Sequence, residues 1–137
     1  MTTRPEIRLV RSEELASRVP YAYAAVAEGA IARLVFTAGA CPISADGATV
    51  AVGDVSGQTE QVMANLRAAL AAAGADLTDV IKTTVYVATQ RQEDLHAAWG
   101  VVSRHFGDHD APSTLLGVSV LGYRDQLVEV EAIAALF

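Results

Sequence analysis

Hydrophobic and polar positions change their period several times along the chain, and each change marks an element. Residues 6–10 read as a short first strand, Tyr21–Glu28 as a second and Arg33–Gly39 as a third. Val35 and Phe36 supply β propensity, and Gly29 marks the turn before the third strand. Ala45–Gly53 is rich in turn residues around Asp46-Gly47. The period then becomes helical. From Ser56 to Ala73, the apolar residues Val62, Leu66, Ala69, Leu70 and Ala73 form one stripe. Asp54 or Ser56 is placed to cap the start and Gly74 to end it. Val80–Ala88 is strongly β-branched and predicts a strand. Glu93 to Phe106 predicts a second helix, with Gly107 as its stop. Leu115–Leu121 and Leu127–Ala135 predict the last two strands, joined by Gly122–Gln126.

The order is βββ-α-β-α-ββ. Two amphipathic helices on one face of a single mixed sheet make a two-layer α+β domain spanning residues 1–137. The other sheet face must be wetted or covered by a partner subunit. Along the central strand, Val80, Lys82, Thr84 and Tyr86 alternate with Ile81, Thr83, Val85 and Val87. Neither set is fully polar, which favours the partner.

Composition strengthens that reading. Hydrophobic residues make up 52% of the 137 positions, and a domain this small cannot hide all of its apolar area alone. The apolar region Ala22–Ile43 is interrupted by Glu28 and Arg33, too early for a membrane span. Met1–Val10 carries Arg4, Glu6 and Arg8 and lacks the apolar segment of a signal peptide, so a cytoplasmic location is expected. With Cys41 as the only cysteine, neither an internal disulfide nor a multi-cysteine zinc site can form. Sixteen acids against ten scattered bases argue against a nucleic-acid surface.

Candidate chemistry concentrates in the last strand. Val128-Glu129-Val130-Glu131-Ala132-Ile133 puts Glu129 and Glu131 on one face beside Leu127 and Ile133. A carboxylate so placed can act as a general acid or base, or hold a water; a solvated outer face is the competing reading. His105 and His109, with Asp108 and Asp110, are metal-capable, but Gly107 breaks the helix between the two histidines, so no metal site is expected. His96 reads as a helix-surface residue. Cys41 lacks a neighbouring base or cation in sequence and reads as a small buried hydrophobe. Trp99, the one tryptophan, sits mid-helix. No Walker loop, G-x-G-x-x-G or G-x-S-x-G occurs, so no cofactor is expected.

The ordered set Pro20-Tyr21, Thr37-Ala38-Gly39, Asn65-Leu66, Ala73-Gly74, Asp79 to Val87, Pro112 and Val128 to Ala134 resembles the Rid/YjgF family of imine and enamine deaminases. The resemblance covers Tyr21 to Ala134. It implies a chorismate-mutase-like fold and a homotrimer, with small-molecule ligand clefts between neighbouring subunits. It also implies that Glu129 positions or activates water.

Departures from the family pattern fall on the implied cleft. The family's Arg, two residues after the cleft Pro, clamps a substrate carboxylate with a bidentate fork. That position is Thr114 here, and sliding the match to pair Ser113-Thr114 puts Pro112 there instead. The family's Ser-Gly-Gln turn is Ala38-Gly39-Ala40, its helix Asn is Trp99 and its neighbouring Tyr is Val102. Losing the clamp removes a few kcal/mol of carboxylate binding. Tyr21, Gly39, Trp99, Thr114 and Leu116 are therefore expected to line a more apolar cleft, with Tyr123 and Arg124 on its rim. Arg124 is either a replacement for the missing Arg or an exposed loop residue. The expectation is a hydrolase of the imine/enamine deaminase type that does not favour 2-imino acids. The alternative is a non-catalytic trimer that binds a ligand or regulates. Ribonuclease activity, attached to some relatives, is the weakest reading because the chain is acidic.

Overall fold

The computed structural model describes residues 2–137. Its strands are β1 (Ile7–Val10), β2 (Ala24–Ala27), β3 (Arg33–Phe36), β4 (Val80–Ala88), β5 (Ser113–Val118) and β6 (Val128–Leu136). Its helices are α1 (Val55–Ala72) and α2 (Gln92–Phe106), with a 3₁₀ turn at Leu77–Asp79. The order is the expected one. The single sheet is not: β1 and β2 pair with each other as a separate two-stranded ribbon, and the other four strands run β3-β6-β4-β5. Among the described strands only β4 and β5 are parallel, with α2 as the crossover between them. The fold is chorismate-mutase-like α+β, with both helices on one face of the four-stranded sheet.

α1 starts where its cap allows. The Asp54 side chain accepts from the Gly57 N–H at 3.0 Å, and Gly74, at φ +83°, takes the left-handed turn that ends the helix. The buried face of α1 is Thr59, Val62, Met63, Leu66 and Leu70. Met63 replaces the expected Ala69, which is exposed. Val62, Met63, Leu66 and Leu70 share one core cluster with Ala98, Val102 and Phe106 of α2 and Val85, Val87, Val128, Val130, Ala132 and Ala134 of the sheet. Each fully buried Leu or Val there contributes about 1.5–3 kcal/mol.

The expected phase of β4 also needs a correction. The pairing of β4 with β6 slips between Val80 and Lys82. This bulge turns Val80 into the core, so the helix-side set is Val80, Thr83, Val85 and Val87. The open side carries Lys82, Thr84 and Tyr86 of β4, Glu129, Glu131 and Ile133 of β6, and Thr114 and Leu116 of β5. Phe36 and Leu34 of β3 are 68% and 51% exposed.

Candidate functional site

β6 positions two carboxylates on the open face, and they are held differently. Tyr86 lies opposite Glu129 in register, and Glu131 opposite Thr84. The Tyr86 hydroxyl donates to Glu131 Oε1 at 2.7 Å. That bond, partial burial and the charges of Glu131 and Glu129 push the Tyr86 pKa up, so the phenol stays a neutral donor. Glu131 is thereby tied within the sheet.

Glu129 is half-buried and anchored by one oxygen. Its Oε1 accepts from Gln126 Nε2 at 3.0 Å and from the Cys41 thiol at 3.3 Å. Its Oε2 makes no hydrogen bond among the described residues and lies over the Cα of Gly39. A β-carbon at residue 39 would stand 2.6 Å from Glu129 Cγ and closer still to Oε2, so only glycine admits the carboxylate here. Next to this point the β3–β6 ladder opens. The Thr37 hydroxyl, in place of a backbone carbonyl, accepts from the Ala132 N–H, and pairing resumes only at the Ala40–Val130 bridge.

Two supports hold this arrangement. Gln126 is buried; its Oε1 accepts from Tyr123 N at 3.0 Å and its Nε2 also donates to Val128 O at 3.1 Å. The loop around it is pinned from α1, because buried Gln58 donates to Asp125 O at 2.9 Å and accepts from Leu127 N at 2.7 Å. The second support is Asn65, which donates to Cys41 O at 2.8 Å and Ile43 O at 2.9 Å. Burial first, then the bond and charge of Glu129, push the Cys41 pKa up to about 11. The thiol is therefore a protonated donor at neutral pH rather than a nucleophile.

The remaining expected residues lie elsewhere. Tyr21, Trp99 and Thr114 come together with Pro20, His96, Ser113 and Leu115 along a groove of about 490 Å³ at the β5 edge. Tyr21 stands edge-on to Trp99, with ring centroids 6.4 Å apart. Thr114 accepts from the Lys82 ammonium at 2.8 Å, so the cation at this point comes from β4. Leu116 is 42% exposed on the open face, opposite Tyr86. Tyr123 and Arg124 are exposed on the loop before β6, and Arg124 makes no ion pair among the described residues. His105 contacts Glu60 at 3.2 Å, while His109 is buried against Val80 O and Thr3, so the two histidines face different neighbours.

Sequence reasoning missed Gln126 and the partnership of Cys41 with Glu129. The available signals were a Gln three residues before the candidate Glu and a Cys two residues after Gly39. The Cys41 contact is formed across 88 positions, which no local spacing reports, and a Gln three residues from a Glu on a loop carries no periodic signal that marks it as a donor.

Comparison with known proteins gives the family and the fold. Residues 11–136 match the family model described as endoribonuclease L-PSP. A RutC family protein of Pyrococcus abyssi is 36% identical over 104 residues, covering 76% of this chain and 80% of that relative. A solved structure of a conserved Rid-family protein of unknown function from Yersinia pestis superposes with a TM-score of 0.87 at 30% identity, covering 96% of this chain and 99% of the other. A Mycobacterium tuberculosis member of the YjgF/YER057c/UK114 family gives 0.64 at 30% identity, covering 95% and 99%. With the family model matching nearly the whole chain and the solved relatives sharing its fold, this chain belongs to the Rid/YjgF family.

Proposed function

We propose that the protein hydrolyses small uncharged imines or enamines in a cleft completed by a second copy of the chain. The observation that carries this reading is the Glu129 carboxylate, fixed through Oε1 by Gln126 and Cys41 while Oε2 is left to accept from water. A water held by Oε2 gives up a proton to the carboxylate as its oxygen attacks the imine carbon. The C=N electron pair moves onto nitrogen, which takes the proton. The carbinolamine then gives its hydroxyl proton to the nitrogen, relayed by the Glu129 carboxylate, and the oxygen electron pair forms the C=O bond as the C–N bond breaks, releasing the carbonyl compound and ammonia.

Within one chain, Glu129 stands on the open side of the sheet, whereas the Tyr21–Trp99 groove runs along the β5 edge beside α2. Neither half encloses a ligand alone. Exposed Phe36, Leu34 and Leu116 supply an apolar surface for neighbouring copies, and a homotrimer, the assembly implied by the family, buries it. Substrate selection follows from Thr114. Without a guanidinium there, a 2-imino acid loses its bidentate partner. Ammonia release from a neutral imine, with Glu129→Gln as control, tests the proposal. Equal decay with and without wild-type protein refutes it.

A non-catalytic ligand-binding trimer is the second reading, favoured by the same loss of a guanidinium at Thr114. Saturable binding of neutral imine analogues without ammonia release would select it. The endoribonuclease description of the family model has less support in this chain, because its net charge is −6 and the open sheet face carries Lys82 with two carboxylates.

A further inference from the structure

Among the described residues, two with a β-carbon hold a positive φ, Ala51 at +47° and Asp125 at +62°. That region is sparsely populated by such residues, and a chain stays there only where its surroundings over-determine it. The two lie in loops that are bonded to each other, since the Thr49 hydroxyl donates to Arg124 O at 2.8 Å. Asp125 directly precedes Gln126, whose amide anchors Glu129.

Gln58 supplies that over-determination. It is fully buried on α1, and its one side-chain amide grips the residues on both sides of Gln126. Nε2 donates to Asp125 O at 2.9 Å and Oε1 accepts from Leu127 N at 2.7 Å. Asp125 is itself exposed, and what Gln58 holds is its backbone carbonyl. A grip on both flanks fixes the direction in which the residue between them projects. Gln126 in turn commits both Nε2 hydrogens, one to Val128 O and one to Glu129 Oε1. A rotation of the backbone at Asp125 swings that amide away from the carboxylate. We propose that Gln58 is a positioning residue for the hydrolysis: by holding Asp125 left-handed, it aims Gln126 at Glu129 Oε1 and keeps Oε2 free for water. The proposal rests on the hydrolase reading above and gives that site a control point in the helix layer, across the sheet from the carboxylate.

Gln58→Met keeps the volume and removes both bonds. With folded protein, kcat for a neutral imine should fall at least tenfold while KM stays within about twofold. Because Gln58 acts through Gln126, the substitution should add less than about twofold to the loss already present in Gln126→Met. Intact kcat in folded Gln58→Met, or the full further loss in the double variant, overturns the inference. Asp125 gives the same test without touching the core, should Gln58→Met fail to fold. Asp125→Val disfavours the left-handed backbone and should lower kcat at least tenfold, whereas Asp125→Gly adopts that backbone freely and should restore kcat to within about threefold of wild type. Equal kcat in these two variants also overturns it. The readout besides activity is exchange of the Gln126 side-chain amide protons with solvent, followed by nuclear magnetic resonance. It should quicken at least tenfold in Gln58→Met and Asp125→Val, and not in Asp125→Gly. Quickened exchange with no imine turned over by the wild type keeps the positioning and sinks the hydrolase reading. Turnover by the wild type with exchange unchanged in both variants does the reverse.

Discussion

The Glu129 carboxylate occupies the space that a side chain at Gly39 would need, with Glu129 Cγ 2.6 Å from the position of a β-carbon and Oε2 closer still. Gly39 and Glu129 are therefore one unit, and the first prediction separates position from fold. Gly39→Ala must push the carboxylate off its anchors, while the backbone at Gly39 needs no left-handed conformation. Imine turnover should fall at least tenfold with a melting temperature within a few degrees of wild type. Unchanged kcat would show that the placement over Gly39 is dispensable.

Gln126 tests the other anchor. Gln126→Met keeps the volume but strands the Tyr123 N–H and removes one donor from Glu129. Urea unfolding should show a loss of about 1–3 kcal/mol, the cost of unsatisfied buried groups. With folded protein at the assay temperature, kcat should fall more than KM rises. A loss of stability with kcat intact would make Gln126 a structural residue only.

What was legible in the sequence follows from how local each signal is. The element order, the Asp54 cap, the Gly74 stop and the shared face of Glu129 and Glu131 depend on residues a few positions apart, and all appear in the structure. The β4 bulge was hidden because both alternating sets of this strand mix apolar and polar residues, and only pairing with β6 decides which residues turn inward. The separate β1–β2 ribbon was hidden for the same reason, since strand patterns do not name partners. At the site, Glu129 stood out by its alternation. Gln126 and Asn65 did not, because a side chain that pins a loop has no periodicity.

Cys41 offers a prediction in pH. Its pKa is raised from 9.0 to about 11, chiefly by burial and then by Glu129. The thiolate forms only as pH rises, and a midpoint at about 11 instead of 9.0 leaves about a hundredth of the ordinary thiolate fraction at pH 8. Iodoacetamide labelling should be correspondingly slow at pH 8 and keep accelerating up to about pH 11. In Glu129→Gln the midpoint should move down yet stay above 9.0, because burial is the larger cause. A plateau below that pH in the wild type would contradict the half-buried, carboxylate-facing thiol.

The proposed trimer predicts its own disruption. Phe36 is 68% exposed at the start of the open face, beside Ile133 in register. Phe36→Asp should leave the core intact but place a charge where copies meet. Sedimentation should then shift from three chain masses to one at micromolar concentration, with the far-ultraviolet circular dichroism unchanged. A wild-type monomer would refute the assembly outright.

The pairing of Lys82 with Thr114 gives the last prediction, because it separates charge from geometry in substrate choice. The Lys82 ammonium already stands 2.8 Å from the Thr114 hydroxyl, so a cation is present, but as a point charge without the planar fork that grips a carboxylate. Thr114→Arg supplies the fork. The ratio of kcat/KM for a 2-imino acid over a neutral imine should then rise at least tenfold, about 1.4 kcal/mol of transition-state binding. The new guanidinium also meets Lys82 as a like charge. Thr114→Arg combined with Lys82→Met should therefore raise the ratio further, whereas Lys82→Met alone should not raise it. Equal ratios in all four proteins would mean that selection is set away from this pair.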